Sequence, residues 1–155
     1  MIGKTDILNT GYEVILLMFT AIISAQILKV LIHLLIKRRI DFRMFTTTGG
    51  MPSSHSAGVM ALSMAVGFIN GFDSTLFAVA LGNAFIVMYD AAGIRRASGK
   101  MAVCLNKIMD DFYKHDVQSV GEKLKELLGH TPIEVFAGAI YGIGFAYYMH
   151  FMVLQ

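Results

Sequence analysis

Four long apolar runs, separated by short polar turns, dominate the 155-residue sequence. The runs cover approximately residues 12–36, 56–72, 74–90 and 132–154. About 20 mostly apolar residues are enough for an α-helix to cross the hydrocarbon core of a bilayer. We therefore predict about four transmembrane helices in a single membrane domain of residues 1–155. The second and third should form a hairpin at Asn70-Gly71, and the fourth should begin with a capping box of Thr131 and Glu134.

The segment of approximately residues 98–128 has a different pattern, because charged residues interrupt its apolar positions. Leu105, Ile108 and Phe112 recur at helical spacing, with Lys107 and Asp111 between them. This pattern is typical of an amphipathic helix that lies along a membrane surface or covers a site. We predict a cytoplasmic interfacial helical segment between the third and fourth membrane helices.

Composition supports the membrane assignment and excludes several classes of function. Hydrophobic residues make up 55% of the chain, charged residues make up 15%, and the mean hydropathy is +0.61, which is too apolar for an ordinary soluble domain. The single cysteine, Cys104, cannot form an internal disulfide, and no Cys/His spacing indicates a zinc site. We predict an all-α integral membrane protein that uses no metal and no cofactor and binds no nucleic acid.

Basic residues are concentrated in two segments. Of the 13 Lys and Arg residues, all except Lys4 and Lys29 fall within residues 37–43 and 95–125. Four membrane crossings place both segments on the same side, which the positive-inside rule identifies as the cytoplasm. We therefore predict a protein of a bacterial-type cytoplasmic membrane with both termini outside. The polar turns that meet at the cytoplasmic face in this topology are residues 53–55, 90–96 and 130–134.

Charged and polar groups at this face are candidates for binding an anion. Gln26 and Lys29 project from one face of the first helix, and an ionisable side chain at that depth normally faces protein or a wet cavity. Alternatively, Lys29 could extend its ammonium to the interface beside the basic residues that follow. Asp90, Arg95 and Arg96 lie together at the end of the third helix, and arginine binds phosphate oxygens bidentately. The lysine and both arginines are therefore candidate phosphate ligands, with Asp90 and Gln26 supporting them.

Two histidines at predicted helix starts add nucleophilic and proton-transfer chemistry. His130 and Glu134 are four residues apart, so the carboxylate could hold one ring nitrogen and leave the other to attack phosphorus. His55 could protonate a departing lipid alkoxide, and the N–H groups of the helix start could bind phosphate. Helix capping by Ser54 or Ser56, and interfacial anchoring by either histidine, are simpler interpretations that need no ligand.

Three blocks of sequence carry a family resemblance. Pro52-Ser53-Ser54-His55 resembles the Pro-Ser-Gly-His signature of the type 2 phosphatidic acid phosphatase and vanadium haloperoxidase superfamily, and His130-Thr131-Pro132-Ile133-Glu134 resembles its His-x-x-x-Asp motif. The blocks at residues 49–57, 89–96 and 128–135 are more similar still, and in the same order, to a small divergent branch of that superfamily. The likeness covers most of the chain.

The resemblance implies a helical lipid phosphatase that needs no metal and acts through a phosphohistidine. It implies His130 as the nucleophile, Glu134 as its orienting acid and His55 as the general acid. The residues that it implies as phosphate ligands are Ser53, Ser54 through its amide, and one arginine of the Arg95 and Arg96 pair.

The sequence departs from the superfamily pattern at several positions. Ser54 stands where the superfamily has glycine, and Glu134 stands where it has aspartate. The interval between the arginine pair and His130 is long because the amphipathic segment intervenes, and no Lys-x6-Arg-Pro motif is present. Lys29 is the candidate replacement for the lysine of that motif.

We expect this protein to hydrolyse a phosphate monoester or diphosphate of a lipid or polyprenyl substrate in the bilayer. The alternative is a non-catalytic protein that binds or translocates a lipid phosphate. A CDP-alcohol phosphotransferase would need several metal-binding aspartates, whereas the turn at Asp90 supplies one acid. A homodimer is a further prediction, because four helices form a small shell around a lipid and Gly138 and Gly142 offer a face for close helix contact.

Overall fold

The computed structural model describes residues 7–38, 50–112 and 129–154. Its helices are α1 (Gly11–Lys37), α2 (Ser54–Asn70), α3 (Thr75–Ala92), α4 (Ile94–Phe112) and α5 (Pro132–Tyr148). A π-helical segment, Met149–Leu154, extends α5. These described ranges contain no β-strand, so the predicted all-α fold is confirmed for them.

Polar side chains define where α2 and α5 begin. Thr131 forms the predicted capping box with Glu134, because its hydroxyl accepts the Glu134 N–H and the Glu134 carboxylate accepts the Thr131 N–H. The cap of α2 is Ser53, whose hydroxyl accepts the Ser56 N–H. The alternative caps considered from the sequence, Ser54 and Ser56, do not have this role because Ser54 is already the first helical residue.

α2 packs against α1, α3 and α5 and so lies at the centre of the bundle. Its contact with α5 is close because two glycines face it: a Cβ added at Gly138 would overlap the carbonyl oxygen of Ser53, and one at Gly142 would overlap that of Ala57. Both glycines are buried. The close helix contact expected of these glycines is therefore made within the chain, by α2, and not with a second copy at this face.

α1 buries a single stripe and exposes the rest of its surface. The buried positions recur at every fourth residue, which places them on one face of the helix. They are Glu13, Leu17, Ala21, Ala25 and Lys29. The exposed apolar residues of α1 include Ile15, Phe19, Ile23, Ile27 and Leu31. Large apolar side chains on the outside suit a helix surrounded by lipid, whose chains are as apolar as leucine.

Three stretches among the described residues are long and apolar enough to cross a membrane, by length and composition. They are Gly11–Leu35, Thr75–Met109 and Pro132–Leu154. The central helix α2, with 17 residues, is not among them. The membrane character of the chain is thus supported, while the four-span count and the outward termini stay predictions.

The predicted interfacial segment is described only in part. α4 begins at Ile94, directly after Gly93 and somewhat earlier than the predicted start near residue 98. Residues 113–128 of that segment lie outside the described residues. Its position at the cytoplasmic surface stays a prediction.

Candidate functional site

The first residues of α2 are joined directly to the first turn of α5. Gly50 leads into the turn with a φ of 97°, a conformation that glycine adopts without strain, and the Met51–Pro52 peptide bond is cis. The backbone N–H of Ser53 then donates to the carbonyl oxygen of Glu134 at 3.1 Å. The described parts of the two sequence blocks, residues 50–57 and 129–135, therefore meet at one end of the bundle, although they are far apart in sequence.

His130 is buried, with 3% of its surface exposed, and is held by Glu134. Its Nδ1 lies 3.2 Å from Oε2 of Glu134, and the same oxygen accepts the Thr131 N–H at 3.0 Å. An acceptor at Nδ1 favours the tautomer that carries its proton on Nδ1 and a lone pair on Nε2. That Nε2 is buried and has no hydrogen-bond partner among the described residues. The capping box of α5 thus also orients an imidazole with one ring nitrogen left available.

Burial lowers the pKa of His130 below the ordinary value of an imidazole. The hydrogen bond to Glu134 opposes this effect, and the positive charge of Lys29 adds to it. Since burial is the largest of these causes, the neutral imidazole is favoured near neutral pH. A neutral ring is the form that can attack phosphorus through Nε2.

Lys29 reaches the same region from α1. It is buried, with 2% of its surface exposed, and its Nζ has no hydrogen-bond partner among the described residues. It lies within electrostatic range of both Glu134 and His130. The alternative in which Lys29 extends its ammonium to the interface therefore does not hold. A buried ammonium without a partner is unfavourable, and an anionic ligand would supply the missing hydrogen bonds.

His55 lies beside His130 but is accessible from outside. The two ring centroids are 6.4 Å apart and the ring planes meet at 65°, and His55 is exposed while His130 is buried. The prediction that these two imidazoles share one end of the molecule is confirmed. The two rings are therefore in edge-to-face contact.

The serines at the start of α2 are buried and hydrogen-bonded. The Ser53 hydroxyl accepts from the Ser56 N–H at 3.4 Å and from the Ser56 hydroxyl at 3.1 Å. The Ser54 hydroxyl donates to Oε1 of Gln26 at 2.9 Å. Gln26 therefore connects α1 to the start of α2. Ser56, which had only been considered as a cap, lies against the Ser53 hydroxyl.

The third block contributes less to the described geometry. Asp90 is half-buried in the last turn of α3. Arg95 and Arg96 belong to the first turn of α4, but their side chains lie outside what the structure describes. Their participation in phosphate binding stays a prediction. In residues 7–38, 50–112 and 129–154, no group of three or more His, Cys, Asp or Glu side chains is arranged to hold a metal ion.

A second buried ionisable pair lies at the other end of the bundle and was not anticipated. Glu13 of α1 is fully buried, and its Oε1 contacts Nδ1 of His150. Its Oε2 accepts the Asn9 N–H at 2.7 Å, and the His150 ring stacks on Phe68 at 4.9 Å. Sequence reasoning could have found this pair, since Glu13 and His150 each lie inside an apolar run. An ionisable side chain is unfavourable there unless it has a partner.

Comparison with known proteins identifies the family. The Divergent PAP2 family matches residues 11–145, a range that contains every candidate site residue. The chain is also 49% identical over 133 residues to the uncharacterized membrane protein YuiD of Bacillus subtilis (strain 168), an alignment that covers 79% of this chain and 84% of that protein. No solved structure gives a significant match. The chain therefore belongs to the Divergent PAP2 family.

Proposed function

We propose that this protein is a membrane lipid phosphatase that hydrolyses a phosphate monoester or diphosphate of a lipid or polyprenyl substrate through a phosphohistidine. The observation that carries the proposal is the buried imidazole of His130, whose Nδ1 is held by Glu134 and whose Nε2 has no hydrogen-bond partner within the part of the chain that the structure describes. The second imidazole of His55 and the buried ammonium of Lys29 lie around it. Membership of the Divergent PAP2 family is consistent with this reaction.

The first chemical step is transfer of the phosphoryl group to His130. The Nε2 lone pair attacks phosphorus, a P–N bond forms and the P–O bond to the lipid breaks. His55 gives its proton to the leaving oxygen, so the lipid departs as an alcohol or, from a diphosphate, as a monophosphate. Glu134 retains the Nδ1–H hydrogen bond and stabilises the positive charge that develops on the His130 ring.

The second step is hydrolysis of the phosphohistidine. His55, now neutral, accepts a proton from a water molecule as the water oxygen attacks phosphorus. The P–N bond breaks and its electron pair returns to Nε2 of His130. Inorganic phosphate leaves, and both imidazoles are restored to their starting protonation states.

Phosphate binding in this scheme depends on charge and position, which dominate catalysis of phosphoryl transfer. Lys29 would place a positive charge beside the transferring group. The Ser53 hydroxyl and the Ser54 amide would bind its oxygens at the start of α2, where a helix favours anions. Arg95 and Arg96 would complete the charge from the first turn of α4. Asp90 would support them from α3.

The direct test is phosphate release from lipid monophosphates and diphosphates by the purified protein in a chelator. We expect vanadate to inhibit, His130→Ala to lower release by at least about 10³-fold, and His55→Ala to lower it by about 10²–10⁴-fold. Tyr12→Ala is the control, because this exposed aromatic residue lies at the opposite end of α1. Comparable thermal unfolding of all variants would show that folding is intact.

The intermediate can be tested separately by quenching a turnover mixture in alkali and locating the phosphate by mass spectrometry and ³¹P NMR. We expect phosphate on Nε2 of His130, because Nδ1 is occupied by Glu134. Phosphate on His55 instead would reverse the assigned roles. Tight binding of lipid phosphates with no phosphate release from either substrate class would replace hydrolysis by the binding or translocating alternative.

A further inference from the structure

A groove of about 800 Å³ lies between α3 and α5 and has a floor on α2. α3 and α5 each pack on α2 but make little contact with one another, so a gap remains between them. The buried floor includes Met60, Val135 and Ala139. The exposed walls include Phe85, Ile86, Tyr89, Phe136, Ile140 and Ile143. Its volume falls within the usual range for a site that holds a small organic molecule.

One end of the groove lies beside the first turn of α5, next along the chain to residues of the candidate phosphate site. Pro132 and Val135 line this end, and they alternate along the chain with His130 and Glu134 of the site. Tyr89 and Ala92, from the last turn of α3, line the same end. The groove therefore begins at the first turn of α5, the turn that also carries Glu134.

The length of the groove corresponds to one leaflet of a bilayer. Along α5 it extends from Pro132 to Ile143, which at 1.5 Å per residue is about 16 Å. Half of a typical hydrocarbon core is about 15 Å. The groove thus runs from the level of the polar site to about the depth at which a lipid chain of the same leaflet would end.

The apolar lining of the groove favours an unsubstituted hydrocarbon chain as its occupant. The lining residues are apolar except for the phenol of Tyr89, and Tyr89 lies at the polar end, where an amphipathic ring suits a membrane interface. An apolar lining disfavours polar groups that would lose their hydrogen bonds. Because the surrounding lipid is equally apolar, the groove would contribute little affinity. Its effect would be to position the chain and hence the phosphate.

We propose that the groove between α3 and α5 binds one hydrocarbon chain of the lipid phosphate and thereby discriminates between chains of different length. The inference rests on the proposed function, which supplies the phosphate position, and adds the surface that recognises the rest of the substrate. Ile143 forms the deep end of the groove on α5, and Phe136 and Ile140 form the wall along its length.

The first experiment alters the deep end of the groove. Ile143→Trp should lower kcat/KM for hexadecyl phosphate by about tenfold, because a long chain then meets a bulky ring, and leave kcat/KM for octyl phosphate unchanged. The matched control is Ile133→Trp, since Ile133 is exposed on α5 and does not line the groove. Equal effects of Ile143→Trp on both chain lengths would overturn the inference.

The second experiment does not depend on turnover. Wild-type protein in detergent micelles is photolabelled with hexadecyl phosphate that carries a diazirine at the end of its chain, and the labelled residues are mapped by mass spectrometry. We expect label near Ile143 and Phe85, with a loss in Ile143→Trp. Label spread equally over the exposed face of α1, or crosslinks between two copies at the groove, would overturn the inference.

The two experiments separate this inference from the proposed function. Label confined to the groove without any phosphate release would support the chain site and contradict hydrolysis. Phosphate release with label spread over all lipid-facing surfaces, and with no chain-length effect of Ile143→Trp, would support hydrolysis and contradict the chain site.

Discussion

Two buried polar atoms without partners distinguish this site at the scale of single residues. Nearly all buried polar side-chain atoms in folded proteins have a hydrogen-bond partner, yet the described residues supply none for Nε2 of His130 or Nζ of Lys29. Both atoms belong to side chains that interact electrostatically with one another. An anionic ligand between the two side chains would supply a partner for both atoms.

The pKa of His130 provides a prediction at the scale of residues, because two variants should shift this pKa in opposite directions. Burial and the charge of Lys29 lower this pKa, whereas the hydrogen bond to Glu134 raises it. Lys29→Met should therefore raise the pKa of His130, and Glu134→Gln should lower it further. ¹⁵N-histidine NMR titration of the folded protein measures both, and shifts of the same sign in the two variants would contradict the assigned causes.

The same pKa sets the expected pH dependence of the reaction. Protonation removes the Nε2 lone pair, and the folded state favours the neutral ring, so activity should persist below the ordinary imidazole pKa. The acid limb of log(kcat/KM) against pH should therefore lie below about 6.5. An acid limb at or above that value in the wild type would show that the titrating nucleophile is not a buried His130.

At the scale of helices, the site depends on how closely α5 approaches α2. Gly138 and Gly142 allow this approach, and the carbonyl of Glu134 accepts the N–H of Ser53 as a result. Larger residues would separate the two helix starts that carry His55 and His130. Helix packing and site geometry are therefore coupled through two positions that carry no chemistry of their own.

A pair of glycine substitutions on α5 tests this coupling. Gly142→Ala would place a methyl group against the carbonyl of Ala57, and we expect a loss of about 1–3 kcal/mol in the free energy of unfolding, together with reduced phosphate release. Gly144→Ala is the matched control, because nothing lies within 4 Å of the added Cβ and alanine is the better helix former. Thermal unfolding and phosphate release measure the two effects, and equal behaviour of both variants would contradict the coupling.

Local patterns were sufficient to predict the helices but not their partners. The capping box of Thr131 and Glu134 and the hairpin at Asn70-Gly71 follow from residue types over a few positions, and both are present. Periodicity assigned Gly138 and Gly142 to a close-packing face, but a face does not specify whether it meets the same chain or a second copy. The inward direction of Lys29 likewise depends on the arrangement of three helices.

At the scale of the whole molecule, buried ionisable groups lie at both ends of the helix bundle. His130 and Lys29, with the half-buried Glu134, lie at the end where α2 and α5 begin, and Glu13 and His150 lie at the other end. Glu13 and His150 belong to the first and last helical segments, which make few other contacts with each other. This second pair therefore connects the two ends of the described chain far from the candidate reaction.

The Glu13–His150 pair should stabilise the fold without affecting the chemistry at His130. His150→Phe would leave the buried carboxylate of Glu13 without its imidazole partner, and removing one member of a buried ion pair typically costs about 3–5 kcal/mol. Adding Glu13→Leu should restore most of this loss, because an apolar pair of similar size removes the stranded charge and a phenyl ring can stack on Phe68. Unfolding of the two single variants and the double variant in detergent gives the coupling free energy. Activity per folded molecule should stay at the wild-type level, since the pair lies at the opposite end from the site. A double variant as unstable as His150→Phe would show that the carboxylate of Glu13 is not the source of the lost stability.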